Sequence, residues 1–501
     1  MSEAAERIPV QPSTAGAGPE TSVARPTGRP DQLRPRIWPG VAIIALQWMA
    51  LTVPGWIDPG SMWHIQVTMM TPMVSAALFG LWWVFGTRFS WKERFIVLGA
   101  CAVIGGAAIA AYHSSMQSMG YMPVMMIVLP YVMLVWVVWL VATMLVRWPI
   151  RRFGLLVLFA LVWGYFTLVR WNGVDGTFAS TMSFRWRPTS EDLFLTQSDA
   201  AHAAIPEDIS EAGEMLEVEP ADWPGFRGVD RDGRRTGVKI ATDWSTKPPR
   251  ELWRRRVGPG WSSFAVVGNR AYTQEQRGEY EAVVCYDAST GSELWAHKDQ
   301  ARFSEAIAGP GPRSTPTLHE GKIYAQGAAG NLNCLDALTG RAIWSRDILK
   351  ESGATPQMWG YAASPLVADG VVTVFAGAKD KSVMGYHADT GEPAWSAGTG
   401  KFSYCSTQLS RLAGVDQLLI STEKGVTAFD PARGTVLWQH DWPLEGGMAR
   451  VVQPAVVAGT DVLIGTGFGN GTRRVRVSRE GDSWTTEEVW RSAAFKPYFN
   501  D

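Results

Sequence analysis

Asp336-Ala337-Leu338-Thr339-Gly340-Arg341-Ala342-Ile343-Trp344 is the stretch from which the fold is read, because its pattern returns through the C-terminal half. It recurs at Asp287 to Trp295, His387 to Trp395 and Asp430 to Trp438, and more weakly at Leu252-Trp253 and Val489-Trp490. The tryptophans at 253, 295, 344, 395, 438 and 490 are 42, 49, 51, 43 and 52 residues apart. A period of about 40 to 50 residues is the mark of propeller blades, each a small sheet that buries its faces only against its neighbours.

Each unit reads as four short strands. In one of them Ser364 to Val367 is an apolar strand, Asp369-Gly370 a turn, Val371 to Phe375 a second strand and Ser382 to Tyr386 a third, with Ala394-Trp395 opening a fourth. Asn470-Gly471 marks a tight hairpin in the last unit. Within the motif, Gly291, Gly340, Gly391 and Gly434 supply the positive φ of the turn between third and fourth strands. The carboxylates of Asp287, Asp336 and Asp430 accept hydrogen bonds from the turn amides. Trp295, Trp344, Trp395 and Trp438 then dock one blade on the next. Cys285 and Cys334 precede the motif by two residues, where the next units have Gly385 and Ala428, so they read as buried small residues.

The N-terminal half differs. Residues 1–37 are rich in Pro, Ala, Gly and Ser and read as a disordered cytoplasmic tail. Residues 38–169 hold five apolar runs, near 38–57, 65–85, 95–112, 122–146 and 153–169, each close to the roughly 20 residues that span hydrocarbon. Arg88, Lys92 and Arg94 lie in the second connection and Arg147, Arg151 and Arg152 in the fourth, whereas the first and third carry no Lys or Arg. That alternation places the N-terminus in the cytoplasm and everything after Val169 outside it. None of the runs contains Asp, Glu, Lys or Arg, and His64 and His113 lie at their ends, so the anchor reads as passive. Residues 170–222 are an acidic extracytoplasmic linker, with ten Asp or Glu and no Lys or Arg between Pro188 and Asp222. Such a segment is expected to stay extended, apart from a short helix near Ile209 to Leu216. A net charge of -1 with no broad basic face excludes nucleic acid as a partner.

The Asp-Ala-x-Thr-Gly-x-x-x-Trp signature resembles the blade repeat of pyrroloquinoline-quinone (PQQ) propellers, a superfamily of quinoprotein dehydrogenases and BamB-like proteins. The opening Trp223 to Gly228 followed by Asp230 to Gly233, with Gly360 to Pro365, is most similar to membrane-anchored BamB-like repeat proteins of bacteria. The resemblance implies an all-β propeller of four-stranded PQQ-like blades over residues 223–501, behind a five-helix α-helical membrane anchor. Members close with eight blades, and about five and a half fit here, so the propeller is expected to be incomplete and the chain truncated.

Function follows from the resemblance only in outline. The leading expectation is a scaffold in the bacterial inner membrane whose periplasmic propeller binds a protein or peptide, in envelope or outer-membrane assembly. No catalytic residue, metal or cofactor is expected under it. The alternative is a membrane-bound PQQ-dependent alcohol or sugar dehydrogenase that uses PQQ and calcium and passes electrons to quinone. No adjacent Cys pair of the kind found in many alcohol-oxidising members is present. If a ligand is bound, the mouth of the central channel is where blades bring side chains together. Trp261, Arg313, Trp359, Tyr361, Tyr404 and Arg450 precede the innermost strands and are the candidates.

Overall fold

The computed structural model describes residues 36–58, 62–174, 180–202, 216–444, 449–467 and 470–497. Nearly all of the N-terminal tail, the expected helix near 209–216 and part of the last hairpin turn lie outside the described residues.

Five helices are long and apolar enough to cross a membrane: Trp38–Ile57, Trp63–Gly86, Trp91–Ala110, Val124–Ala142 and Trp148–Thr167. They pack around aromatic side chains, with Trp83, Trp136 and Phe159 buried in contact edge to face. Arg152 of the fourth connection pairs with Glu93 of the second at 2.9 Å, so those two basic loops share one end of the bundle. At the other end, His113 caps the short helix Ser114–Gln117 by accepting from Ser115 N–H at 3.2 Å. The histidine there is a cap.

The C-terminal half is five sheets, each of four antiparallel strands in sequence order. The first blade comprises Ala265–Val267, Arg270–Arg277, Tyr280–Asp287 and Glu293–Asp299. The second runs from Thr317–His319 to Ala342–Asp347, the third from Leu366–Ala368 to Pro393–Ala397. The fourth runs from Gln408–Leu412 to Val436–Asp441 and the fifth from Ala455–Val457 to Ser483–Ser492. First strands of the first four blades adjoin in succession, which makes them the inner ones.

The blades dock through the repeat motif in one direction. Each tryptophan lies over the motif glycine of the following blade: a Cβ on Gly291 would come within 2.5 Å of Trp253, on Gly340 within 2.5 Å of Trp295, on Gly391 within 2.5 Å of Trp344, and on Gly434 within 2.3 Å of Trp395. Their φ angles of 72°, 72°, 69° and 68° make glycine doubly necessary, for conformation and for space. The same indoles donate to the carbonyls of Ala288, Ala337, Ala388 and Pro431 at 2.9 to 3.1 Å. Asp287, Asp336 and Asp430 each accept two turn amides at 2.8 to 3.1 Å. Trp438 differs. The fifth blade turns through Gly481 without the motif, and the Trp438 indole donates within its own blade, to Gln417 Oε1 at 2.7 Å.

Each motif indole also has a small residue beside it in the third strand. Cys285, Cys334, Gly385 and Ala428 stand opposite Trp295, Trp344, Trp395 and Trp438. All four cysteines are buried thiols outside any disulfide. In the fifth blade Arg474 takes that place opposite Trp490, held at 2.6 Å by the buried Asp461 carboxylate.

Residues 170–202 depart from an extended spacer. Val169–Val174 and Ser180–Phe184 form a hairpin and Ser190–His202 a helix. The helix starts in a capping box, with Asp192 N–H donating to Thr189 Oγ1 at 2.8 Å and Thr189 N–H to Asp192 Oδ2 at 2.7 Å. Its Glu191 pairs with Arg302 at 2.8 Å, and Arg277 lies 5.3 Å over the buried Phe194 ring. Side-chain pairing with the first blade outweighs the mutual repulsion of the carboxylates.

Candidate functional site

The connections that carry the chain from each outer strand to the next inner strand gather at one end of the array. Hydroxyls tie them together: Ser263 N–H donates to Thr315 Oγ1 at 3.2 Å, Thr315 N–H to Ser364 Oγ at 2.9 Å, and Ser364 N–H to Ser406 Oγ at 2.8 Å. This chain of bonds around the inner strands gives a physical reason for the Ser/Thr that recurs before the first strands of the first four blades.

The inner strands enclose a strap of the chain's own backbone. Trp223 exchanges two hydrogen bonds of 2.8 Å with Val266 of the first blade, and Leu318 N–H of the second donates to the Pro224 carbonyl at 2.7 Å. Arg231 reaches the third blade, donating to the Pro365 carbonyl at 2.8 Å and the Ser364 carbonyl at 3.2 Å, while Gln408 of the fourth donates to the Asp230 carbonyl at 3.1 Å. Burial lowers the Arg231 pKa to about 10. Its guanidinium is a structural tie between strap and blades, and none of the motif spacing signals it. Arg231→Ala should cost about 1–3 kcal/mol, since it strands two buried carbonyls. Limited proteolysis should show faster cleavage near residues 223–234; an unchanged rate would refute the role.

The candidate mouth residues separate into two groups. Trp261 is 63% exposed and its indole donates to the Ala308 carbonyl at 2.9 Å. Arg313 stacks 4.6 Å from the Phe303 ring and pairs with Glu305 at 3.2 Å. Trp359 and Tyr404 meet with ring centroids 5.0 Å apart, and Trp359 N–H donates to the tyrosine oxygen at 3.3 Å. Burial lowers the Arg313 pKa and raises that of Tyr404, and each feels the other's charge. These four are neighbours in space, with Trp261 N–H also donating to the Pro312 carbonyl, next to Arg313, at 2.8 Å. Tyr361 and Arg450 do not join them. Tyr361 is buried with its hydroxyl donating to the Ala376 carbonyl at 3.3 Å. Arg450 is fully buried, its guanidinium 4.7 Å over Trp442 and donating to the Trp442 carbonyl at 2.6 Å and to that of Thr422. Of the two candidate arginines, one is already paired and the other is enclosed.

What the mouth does expose is apolar. Met358, beside Trp359, is 70% exposed, and Phe402, two residues before Tyr404, is 43% exposed. Beneath the rim lies Glu281, which no sequence motif marks. Its carboxylate accepts Ala328 N–H at 3.1 Å and Ala329 N–H at 3.5 Å, and a Cβ on Gly327 would fall 2.2 Å from it. Burial pushes its pKa up to about 7, helped by Asp299, against the amide bonds and Arg313.

A family model described as outer membrane protein assembly factor BamB matches residues 244–355 and 309–494. The chain belongs to this PQQ-repeat family. Among curated PQQ-repeat relatives, the quinohemoprotein alcohol dehydrogenase ADH-IIG of Pseudomonas putida is 26% identical over 214 residues, 40% of this chain and 29% of its own length. The quinohemoprotein alcohol dehydrogenase ADH IIB of Pseudomonas putida is 32% identical over 125 residues, 23% of this chain and 17% of its own. The chain thus spans less than a third of either relative. A solved structure of BamB from Moraxella catarrhalis, 19% identical, covers 46% of this chain and 62% of its own, with a TM-score of 0.33.

These relatives correct one expectation. Both curated ones are named quinohemoproteins, so a cofactor-free chain no longer follows from membership of the PQQ-repeat family. The described mouth residues fit a quinone or haem poorly, because Glu281 and Glu305 are already bonded to backbone amides and the strap lies along the inner strands.

Proposed function

We propose that this chain is a membrane-anchored, extracytoplasmic BamB-like scaffold whose propeller binds a protein or peptide partner at its mouth. The basic second and fourth connections, joined by the Arg152–Glu93 pair, support a cytoplasmic N-terminus in the inner membrane. The observation that carries the reading is the apolar rim of Met358 and Phe402 around the Trp359–Tyr404 pair. Exposed aromatic and methionine side chains over a rigid, hydrogen-bonded base are what a protein partner buries. Envelope assembly is the process such a scaffold would serve.

The test is a photo-crosslinking amino acid in place of Met358 in the full chain in cells. A discrete protein adduct is expected, lost when Trp359→Ala is added and absent when the probe replaces Ser289 on the opposite face. Adducts that are equally strong at both positions would refute the site. The second reading, a PQQ-dependent dehydrogenase, is favoured by the names of the two curated relatives alone.

A further inference from the structure

Among the described residues, a small excursion of the propeller meets the hairpin that leaves the helical domain. Between the first two blades the chain folds back as Ser304–Glu305 against Gly309–Pro310, with Ile307 at the tip. The hairpin that follows the fifth membrane helix reaches this tip. The Trp171 indole donates to the Ala306 carbonyl at 3.1 Å and Val174 N–H to the Ile307 carbonyl at 3.3 Å. Gly173 lies so close that a Cβ there would be 2.7 Å from the same Ile307 oxygen. Trp171 is itself fixed at the end of the helical bundle, since its backbone N–H donates to Ser115 Oγ at 3.0 Å, in the loop joining the third and fourth helices. One indole therefore separates the tip from the helix ends.

The side chains around that tip are the kind that settle at a membrane surface. Ile307 is 36% exposed and flanked by the Trp171 and Trp261 indoles, which hold the carbonyls on either side of it. Trp261 and Trp186 are each 63% exposed. Trp186 stacks on Phe184 at 4.7 Å, and Phe184 meets Tyr165 of the fifth helix at 6.3 Å. Arg187 lies 5.9 Å over the Phe184 ring. Indole and phenol rings with one polar edge partition to the headgroup layer, and arginines beside them match lipid phosphate.

From this continuity of bundle, hairpin and tip, we infer that Ile307 and Trp261 rest in the headgroup layer of the leaflet on the propeller's side. The occupant of this exposed rim is the phospholipid surface, and the mouth opens along it. The inference depends on the five helices spanning the bilayer and stands apart from the scaffold reading.

All native cysteines are buried, so an added one can be labelled alone. The full chain carrying Ile307→Cys, or independently Trp261→Cys, would bear a bimane label in nanodiscs of phosphatidylcholine and phosphatidylglycerol. Headgroup spin-labelled lipid should quench either label several-fold more than a label at Ser289→Cys on the far face of the propeller. Quenching at 307 and 261 no greater than at 289 would overturn the inference. A label shielded from a water-soluble quencher yet unaffected by spin-labelled lipid would overturn it too, because protein would then cover the rim.

Discussion

Trp295→Ala is expected to destabilise the repeat array by about 4 kcal/mol, the range for a large buried aromatic cut to alanine. Trp295 is 5% exposed, lies over Gly340 and holds the Ala337 carbonyl, with Tyr272 beside it at 5.8 Å. The void would open between the first two blades, where neither sheet can collapse without breaking its own ladder. Trp253 makes the same two contacts but is 38% exposed, so Trp253→Ala should cost about half as much. Gly340→Ala adds a specific check. In the native chain it meets both the indole and the strain of a positive φ; after Trp295→Ala only the strain, about 1–2 kcal/mol, remains. Urea unfolding of the full chain in detergent, followed by tryptophan fluorescence, measures all three. Additive losses, or an unchanged Trp295→Ala midpoint, would remove the docking role.

Stability should fall as pH rises from about 4.5 to about 7, and Glu281 should be a main reason. Below 4.5 the carboxyl is protonated in folded and unfolded chains alike. Between 4.5 and about 7 the unfolded chain releases the proton while the buried site keeps it, so each pH unit favours unfolding. The loss amounts to about 3 kcal/mol by pH 8, an upper figure, and is complete once the folded group ionises. Glu281→Gln keeps the neutral form at every pH. It should match the native chain near pH 4.5 and exceed its stability at pH 8, flattening the slope. An identical slope in the two proteins would show that Glu281 is ionised when folded.

The repeat and the apolar runs were legible because both are local. Gly340 and Trp344 sit four residues apart and report a turn and a docking surface whatever surrounds them. Which glycine a tryptophan meets was not legible, since Trp344 lies over Gly391, 47 residues on. The orientation of the mouth candidates was not legible for the same reason. Position before an inner strand says that a side chain is near the channel; it does not say whether it points in, as Trp359 and Tyr404 do toward each other, or is enclosed, as Arg450 is under Trp442. Glu281 owes its raised pKa to burial against the Gly327 turn of the next blade, whose two amides oppose the shift. The helix at Ser190–His202 was legible in principle, because Thr189 and Asp192 have capping-box spacing. Counting ten acidic residues hid it.

The scaffold reading is tested most directly by an assay for redox turnover. The full chain in lipid nanodiscs would be supplied with PQQ, calcium and an artificial electron-accepting dye, and titrated with primary alcohols and glucose. The scaffold reading predicts no substrate-dependent dye reduction at any cofactor loading, with the Met358 adduct still forming in cells. Saturable dye reduction that requires PQQ would contradict it and establish the dehydrogenase.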